Sequence, residues 1–366
     1  MTTRNAVSTD LTQELQARVC AAMADSTPLR LLGNDTKSFI GRASTGEPLV
    51  LSGHTGILGY QPKELVVTAR CGTTLAELES TLAEQGQRLP FEPPHFAAPN
   101  GPPATLGGTI ACGLSGPARP YWGAARDLVL GARVLSGRGE ILRFGGEVMK
   151  NVAGYDVSRL MVGALGTLGI LLDLSLKVLP IPAATRTLVL ASGPDEALER
   201  MNHWGARPWP LSATCCDGER LWVRLSGTEQ GVMETAAQIG GESVADSEAE
   251  AFWSQVREQR HPFFVQGEAP LWRLSLPQGA PAVRLDGPQW IEWSGSQRWL
   301  RSEAPDAVIR AEAERLGGQA TRFRGGDRSG EVFHPLSEPL MQLHRRVKSA
   351  FDPHGLLNPG RLYANL

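Results

Sequence analysis

The spacing of apolar residues along the chain predicts helices and strands in alternation. Leu11, Leu15 and Val19 recur at near-helical intervals, whereas short runs rich in branched residues are bounded by glycine and proline. Thr74 precedes Glu77 by three residues, which is the pattern of a helix N-cap. The predicted elements are helices at 9–24, after Thr74 and at 339–351, and strands at 29–32, 64–70, 128–135, 140–144 and 170–179.

A change in composition after residue 182 predicts a second domain. Pro180 and Pro182 end the last of the early strands, and eight of the nine tryptophans lie between Trp204 and Trp299. Clusters of glycine become sparse over the same stretch. We therefore predict an α+β fold with a second domain at about 184–335, in which the tryptophans are core or partner-surface residues.

Charge and cysteine usage exclude several functions. The formal net charge is -2 and there is no block of basic residues, so we expect no nucleic-acid surface. The polar N-terminus predicts no signal peptide, and no apolar run reaches the roughly 18 residues of a membrane-spanning helix. The five cysteines are scattered without a CxxC pair, so we expect no metal centre in this chain and a reducing, cytoplasmic environment.

Four glycine-rich segments could bind a phosphate-containing ligand. Glycine lets backbone N–H groups approach an anion closely, although it also serves turns and tight packing. A P-loop is excluded because Thr36 stands where glycine must precede Lys37. A Rossmann fingerprint is not supported either, because the run at 163–169 reads GxxGxxG rather than GxGxxG and precedes its strand. Dispersed loops suit a long dinucleotide that lies across a mixed domain. The segments are Gly33–Lys37, Leu106–Gly116, Phe144–Gly146 and Gly163–Gly169.

Six segments of the chain resemble one family of proteins. They are Leu65–Thr73, Phe91–Phe96, Gly107–Pro117, Phe144–Asp156, Gly163–Pro180 and Phe351–Tyr363, in the family's order. The sequence resembles the vanillyl-alcohol-oxidase/PCMH-type FAD-binding superfamily and, within it, the FAD-binding (E) subunits of glycolate oxidase. The resemblance implies an FAD domain at 1–182 with subdomains at about 1–66 and 67–182, a cap domain at 184–335, and a segment at 336–366 that packs back on the FAD domain.

The same resemblance implies which residues bind FAD. Residues 33–38 resemble a first pyrophosphate loop, residues 107–116 a second loop along the pyrophosphate and isoalloxazine, and residues 166–170 a strand entry whose backbone meets the flavin. Backbone amides, rather than arginine side chains, would stabilise most of the negative charge of the diphosphate. Asp35 departs from the glycine-rich first loop that is usual in the family. The implied residues are Gly33, Asn34, Asp35, Thr36, Lys37, Ser38, Gly107, Gly108, Thr109, Ile110, Cys112, Gly113, Ser115, Gly116, Gly166, Thr167, Gly169 and Ile170.

The chain lacks the residues that usually attach flavin covalently in this family and those that usually catalyse oxidation of the substrate. The histidine that often carries flavin in this family is absent between Thr36 and Gly41, so we expect non-covalent FAD, with Cys112 as the only nearby thiol. Related D-2-hydroxy acid dehydrogenases use an HxH motif and a nearby Glu-His pair that gather a divalent metal, and none of the seven histidines forms that motif. His95 and Arg361 are the remaining candidates for a base and a carboxylate-binding cation, and each also has a purely structural interpretation.

Three functions stay open at this point. FAD loops without the histidine motif favour an electron-relay or assembly subunit, beside a sister flavoprotein that oxidises glycolate and an iron–sulfur subunit. Such a complex would also allow peripheral association with the inner face of the cytoplasmic membrane. The second function is a self-sufficient FAD-dependent oxidase or dehydrogenase that uses His95 and Arg361. The third is a scaffold whose flavin site has decayed, for which Asp35 is the hint.

Overall fold

The computed structural model describes residues 8–146 and 156–366. Most of the specific motif Phe144–Asp156 therefore lies outside the described residues, apart from its first three residues and Asp156. Helices and antiparallel sheets are mixed throughout, which confirms the predicted α+β class. Within the described ranges, no helix combines the length and the apolar character that a bilayer crossing demands.

The first 182 residues build a five-stranded antiparallel sheet, a parallel strand pair and a small antiparallel pair. In the large sheet the strand order is β3-β4-β8-β6-β7, the parallel pair is β1-β2, and β5 pairs with β9. The elements are α1 (Thr12–Asp25), β1 (Leu29–Leu32), β2 (Glu47–Val50), β3 (Ile57–Gln61), β4 (Val66–Arg70), α2 (Leu75–Ala83), β5 (Gln87–Arg88), α3 (Leu106–Cys112), α4 (Arg119–Trp122), α5 (Ala125–Leu128), β6 (Val129–Leu135), β7 (Ile141–Gly145), α6 (Val157–Leu160), β8 (Ile170–Lys177) and β9 (Leu179–Pro180).

Burial explains why β8 is the middle strand of that sheet. Its first seven residues are buried on both faces, as expected for an apolar strand with helices and neighbouring strands around it. The apolar face of α2 packs there, and the Thr74 hydroxyl accepts a hydrogen bond from the Glu77 amide, so the predicted N-cap is confirmed. β3 pairs with β4 across the limit predicted at residue 66, and the domain limits stay predictions.

An eight-stranded antiparallel sheet follows and forms the cap. Its strand order is β13-β10-β12-β11-β15-β16-β14-β17. The elements are β10 (Ala184–Ala191), α7 (Pro194–Gly205), β11 (Leu211–Cys216), β12 (Arg220–Gly227), α8 (Glu229–Ile239), β13 (Glu242–Ser243), α9 (Asp246–Arg257), α10 (Pro262–Val265), β14 (Leu271–Ser275), β15 (Gln289–Glu292), β16 (Gln297–Arg301), α11 (Asp306–Arg315) and β17 (Gln319–Arg324).

One apolar cluster joins the cap sheet to the first half of the chain. Ile40, Leu114 and Leu165 pack in the same buried cluster as Trp299 and Phe323 of the cap. Most cap tryptophans are buried in its cores, in agreement with the core interpretation made from the sequence. Burial of these apolar side chains therefore holds the cap against the loops that follow β1 and α3.

The C-terminal segment returns to the first half through helix α12 (Glu338–Phe351) and the turns after it. Phe351 contacts Phe144 edge to face with ring centroids 6.2 Å apart. Leu357 forms a parallel bridge with Leu29 of β1, and the Asn358 amide donates to the Leu29 carbonyl at 2.9 Å. Residues close to the end of the chain therefore complete the edge of the β1-β2 pair.

Candidate functional site

A cleft lies between the loop after β1, the first turn of α3 and the segment that enters β8. It holds about 1020 Å³ of empty space, counting the part open to solvent, which is the size of an ordinary cofactor or small-molecule site. Twelve of the eighteen residues predicted to bind FAD line it, together with Arg361. The twelve are Gly33, Asn34, Asp35, Thr36, Lys37, Ser38, Gly107, Gly108, Cys112, Gly166, Gly169 and Ile170.

The loop at 33–38 presents a run of free backbone donors to this cleft. None of the N–H groups from Gly33 to Lys37 donates a hydrogen bond to another described residue. Successive amides without protein partners form an anion-binding concavity. Asp35 has a φ of 58°, the left-handed region that favours glycine and that aspartate tolerates, so its presence is compatible with the loop conformation.

Lys37 brings a buried cation to the same loop. Its side chain is only 6% exposed, and its Nζ donates to the His95 carbonyl at 3.0 Å and to the Thr36 hydroxyl at 3.3 Å. Burial lowers the pKa of Lys37 to about 8, against the opposing influence of Cys112 and Glu258. The amine is therefore mostly charged at neutral pH and is poised to lose its proton in mild alkali.

The second predicted loop is a helix over much of its length. Residues 106–112 form α3, and the Thr105 hydroxyl caps it by accepting from the Gly108 amide at 3.3 Å. A side chain at Gly107 would place its Cβ 2.7 Å from Cβ of Cys71, so close packing requires this glycine. Gly108 meets only the Thr105 hydroxyl, at 3.1 Å, and leaves its backbone accessible from the cleft.

Six predicted residues do not line the cleft; Thr109, Ile110 and Thr167 are buried in the core, whereas Gly113, Ser115 and Gly116 line neighbouring cavities. The helical turn directs Thr109 and Ile110 into the core, and the Thr109 hydroxyl donates to the Thr105 carbonyl. The Ser115 hydroxyl accepts from the Ala125 amide, and the Thr167 hydroxyl donates to the Ala164 carbonyl. The six residues are Thr109, Ile110, Gly113, Ser115, Gly116 and Thr167.

The segment that enters β8 is shaped by the C-terminal tail. Gly166 has a φ of 74°, and a Cβ at this position would lie 2.8 Å from Nδ2 of Asn358. The Asn358 side chain accepts from the Leu31 amide at 2.8 Å and donates to the Leu165 carbonyl at 2.7 Å. It thus ties β1 to the glycine segment at 163–169, and the tail helps to position both walls of the cleft.

The thiol of Cys112 lies in the cleft but is a poor nucleophile. Burial raises the pKa of Cys112 to about 11, although Lys37 and Arg361 act in the opposite direction. A thiol with this pKa is protonated at neutral pH, and the thiolate is the reactive form. The environment of Cys112 therefore supports non-covalent rather than thioether-linked flavin.

The two candidate catalytic residues occupy different places. The imidazole Nε2 of His95 lies 3.1 Å from a carboxylate oxygen of Glu79, and His95 is not among the residues that line the cleft. Arg361 does line the cleft, but its guanidinium donates to the carbonyls of Arg42 and Ser38, both at 3.0 Å. The structure thus gives Arg361 a role in fixing the end of the first loop, and it does not bring His95 to the site.

Several cleft residues were not predicted from the sequence. Thr105, Cys71 and Asn358 line the cleft beside the glycine segments, as do Leu31 and Leu51. Thr105 carried a readable signal, because a threonine before Leu-Gly-Gly-Thr is a helix N-cap pattern. Asn358 stands in an Asn-Pro-Gly turn, but nothing local indicates that its amide reaches residues more than three hundred positions earlier.

These features fit FAD. The free amides of residues 33–37 and the charge of Lys37 suit a diphosphate, and the long cleft with side-chain-free backbone at Gly108 suits an extended dinucleotide. The contacts of each residue with FAD stay predictions.

Comparisons with known proteins agree with this assignment. A family described as "FAD binding domain" matches residues 6–145, and one described as "FAD linked oxidases, C-terminal domain" matches residues 325–362. The chain is 48% identical over 357 residues to "Glycolate oxidase subunit GlcE" of Escherichia coli (strain K12), covering 98% of this chain and 99% of that protein. It is 30% identical over 420 aligned residues to "Glycolate oxidase subunit GlcD" of Bacillus subtilis (strain 168), covering 96% and 87%.

A solved structure shares the fold. The substrate-bound crystal structure of p-cresol methylhydroxylase superimposes with a TM-score of 0.69 at 17% sequence identity, over 97% of this chain and 88% of that one. The chain therefore belongs to the PCMH-type FAD-binding superfamily, among the glycolate oxidase subunits, and is an FAD-binding protein of the oxidoreductase class.

Proposed function

We propose that this chain is the FAD-carrying subunit of a multi-subunit glycolate (2-hydroxy acid) dehydrogenase and acts there as an electron-relay or assembly flavoprotein. In this proposal a sister flavoprotein oxidises glycolate and an iron–sulfur subunit carries the electrons onward. The complex is cytoplasmic and can attach peripherally to the membrane. FAD, when bound, supplies a reversible electron acceptor.

One observation supports the relay role: the cleft has backbone donors suited to a diphosphate, but among the described residues no histidine and no buried carboxylate lines it that could remove a proton from a hydroxy acid. All seven histidines lie in the described ranges, and none lines the cleft. Asp35 is the only carboxylate among the described residues that line it, and Asp35 is exposed. Lys37 also lines it, but with its pKa at about 8 the amine is mostly charged at neutral pH. The residues of this chain therefore bind and orient the cofactor, while the proton chemistry belongs to another subunit.

Two relatives support the multi-subunit arrangement. Both GlcE and GlcD are named as subunits of glycolate oxidase, and this chain aligns with each over most of its length. Two homologous flavoproteins in one enzyme allow one of them to keep the substrate chemistry and the other to lose it. The histidine motif missing from this chain is what such a division would produce.

The test is an anaerobic titration of the purified, FAD-loaded chain. We expect a yellow protein whose visible flavin absorbance does not bleach with glycolate or D-lactate, and does bleach with glycolate once the co-purified sister subunits are present. Bleaching of the isolated chain at a catalytic rate would replace the relay role by a self-sufficient dehydrogenase. A protein that stays colourless with added FAD would favour the scaffold.

A further inference from the structure

A second cavity adjoins the FAD cleft on the side of the cap. It holds about 830 Å³ of empty space, counting the part open to solvent, and it shares Cys112 and Leu165 with the cleft. Three arginines line it: Arg119 of α4, Arg126 of α5 and Arg273 of the cap strand β14. The rest of its wall is mainly apolar, including Ile40 and Phe333.

In the described part of the chain, the three guanidinium groups have no carboxylate within ion-pairing distance. Among the described residues, none of them forms a side-chain hydrogen bond or an ion pair with protein. Two of the arginines contact aromatic rings instead, since the Arg119 guanidinium lies 4.4 Å from the Trp293 ring centroid and that of Arg273 lies 5.7 Å from the Phe323 ring centroid. Stacking on a ring face leaves the N–H donors of a guanidinium free to bind an anion.

The electrostatics of the cavity call for a negative charge. Burial lowers the pKa of Arg273 to about 10, and the like charge of Arg119 adds to the shift. Burial also lowers the pKa of Arg119, where Arg126 adds to the effect and Asp127 opposes it. Guanidinium groups that repel one another in a partly desolvated cavity are stabilised when an anion binds between them.

A buried carboxylate in a neighbouring crevice is already engaged. Glu292 lines a neighbouring crevice that also touches Arg273. Its Oε2 accepts from Gln297 at 2.6 Å and from Trp299 at 2.9 Å, and burial raises its pKa. No histidine or carboxylate among the described residues lines the arginine cavity itself, so it offers cations to an anion and no base.

We propose that Arg119, Arg126 and Arg273 form a binding site for a small carboxylate anion of the glycolate or oxalate type, next to the FAD cleft. The site binds this anion without removing a proton from it. The proposal rests on the proposed function in one respect, namely that bound FAD occupies the adjoining cleft. An arginine guanidinium matches the planar, bidentate geometry of a carboxylate.

Calorimetric titration of the FAD-loaded chain with glycolate and with oxalate tests the site. Arg273→Met and Arg119→Gln each remove one positive charge from the cavity. Arg284→Met is the control, because it removes one positive charge from the cap surface, where the Arg284 side chain is 68% exposed beside Asp195. We expect both anions to bind the wild type, each cavity variant to weaken oxalate binding roughly 10- to 100-fold, and Arg284→Met to bind as the wild type does.

Folding and flavin content separate the outcomes. Because Arg273→Met removes a mutually repelling charge, its Tm should not fall, so lost binding with an unchanged Tm supports the site. Any one of three results would overturn the proposal: no binding heat in the wild type, equal oxalate binding by Arg273→Met and the wild type, or tighter binding of inorganic phosphate than of oxalate. Visible absorbance of the same samples reports FAD. Oxalate binding by samples that bind no FAD would refute the proposed function and leave the arginine site standing, whereas FAD-loaded samples that bind no oxalate would refute the site alone.

Discussion

Replacing Lys348 by methionine removes the cation that fastens the C-terminal segment beneath the FAD cleft. Its Nζ donates to the carbonyls of Thr167 at 2.7 Å and Leu357 at 2.8 Å, and lies 2.6 Å from a carboxylate oxygen of Asp352. Both charged residues are buried, at 7% and 1% exposure. Methionine fills a similar volume, so the variant isolates the loss of charge and donors from the loss of packing.

The expected cost follows from that burial. Breaking a buried ion pair by removing one partner costs about 3–5 kcal/mol, because the remaining charge stays desolvated. Asp352 would keep only the amides of Leu356 and Leu357, at 3.0 Å and 2.7 Å. We therefore expect Lys348→Met to lower the free energy of unfolding by about 3 kcal/mol or more.

Urea titration of the FAD-loaded protein, followed by the flavin fluorescence that appears on release, measures this cost. Arg200→Met is the control, because Arg200 pairs with Glu196 at 2.6 Å on an exposed helix face, where such pairs contribute about 0.3–0.5 kcal/mol. The double variant Lys348→Met/Asp352→Asn should lose less than the sum of the two single variants. The reasoning is refuted by a cost below about 1 kcal/mol for Lys348→Met, or by full additivity.

Three further predictions concern the cleft. Because the folded state lowers the pKa of Lys37 to about 8, Lys37 releases its proton at a lower pH in the folded chain than in the unfolded chain. Buried cysteines with raised pKa values act in the opposite direction, so the expected result is a difference: from about pH 8 toward the unfolded pKa, the unfolding free energy of the flavin-free wild type should rise relative to that of Lys37→Met in urea titrations at each pH. Gly33→Val should weaken FAD binding at least about tenfold in a fluorescence titration, because a Cβ at position 33 would lie 2.5 Å from the Thr105 hydroxyl. Gly59→Ala is the control and should bind FAD normally, because a Cβ at position 59 would have no atom within 4 Å. Acid precipitation should release all flavin from both wild type and Cys112→Ser; flavin that stays with the wild-type protein alone would contradict non-covalent binding.

Local patterns predicted much of the framework. The helix expected at 9–24 begins at Thr12, and the strand expected at 29–32 has those limits. The strands expected at 128–135 and 140–144 and the helix expected at 339–351 also lie within a residue or two of their predicted positions. These elements depend on side-chain periodicity and turn residues, which are readable from neighbouring positions.

The candidate site was predictable only in part, because a glycine pattern does not reveal what the glycine faces. Gly107 and Gly116 allow close packing against Cys71 and Glu92, whereas the amides of residues 33–37 are the free donors. The residues at 106–112 read as a loop because two adjacent glycines disfavour a helix, yet the Thr105 cap and burial of Ile110 outweigh that preference. The arginine cavity combines segments that are far apart in the chain, such as 119–126 and residue 273, so no local pattern could indicate it.

The bridge made by Asn358 has a consequence for how the holoprotein is made. One amide group connects residue 31 to residue 165, so this link between the two walls of the cleft can form only after position 358 has been synthesised. During translation the nascent first half therefore lacks one connection across its cofactor site. A chain that stopped before position 358 would lack both hydrogen bonds, and we expect it to retain flavin less well than the whole chain does.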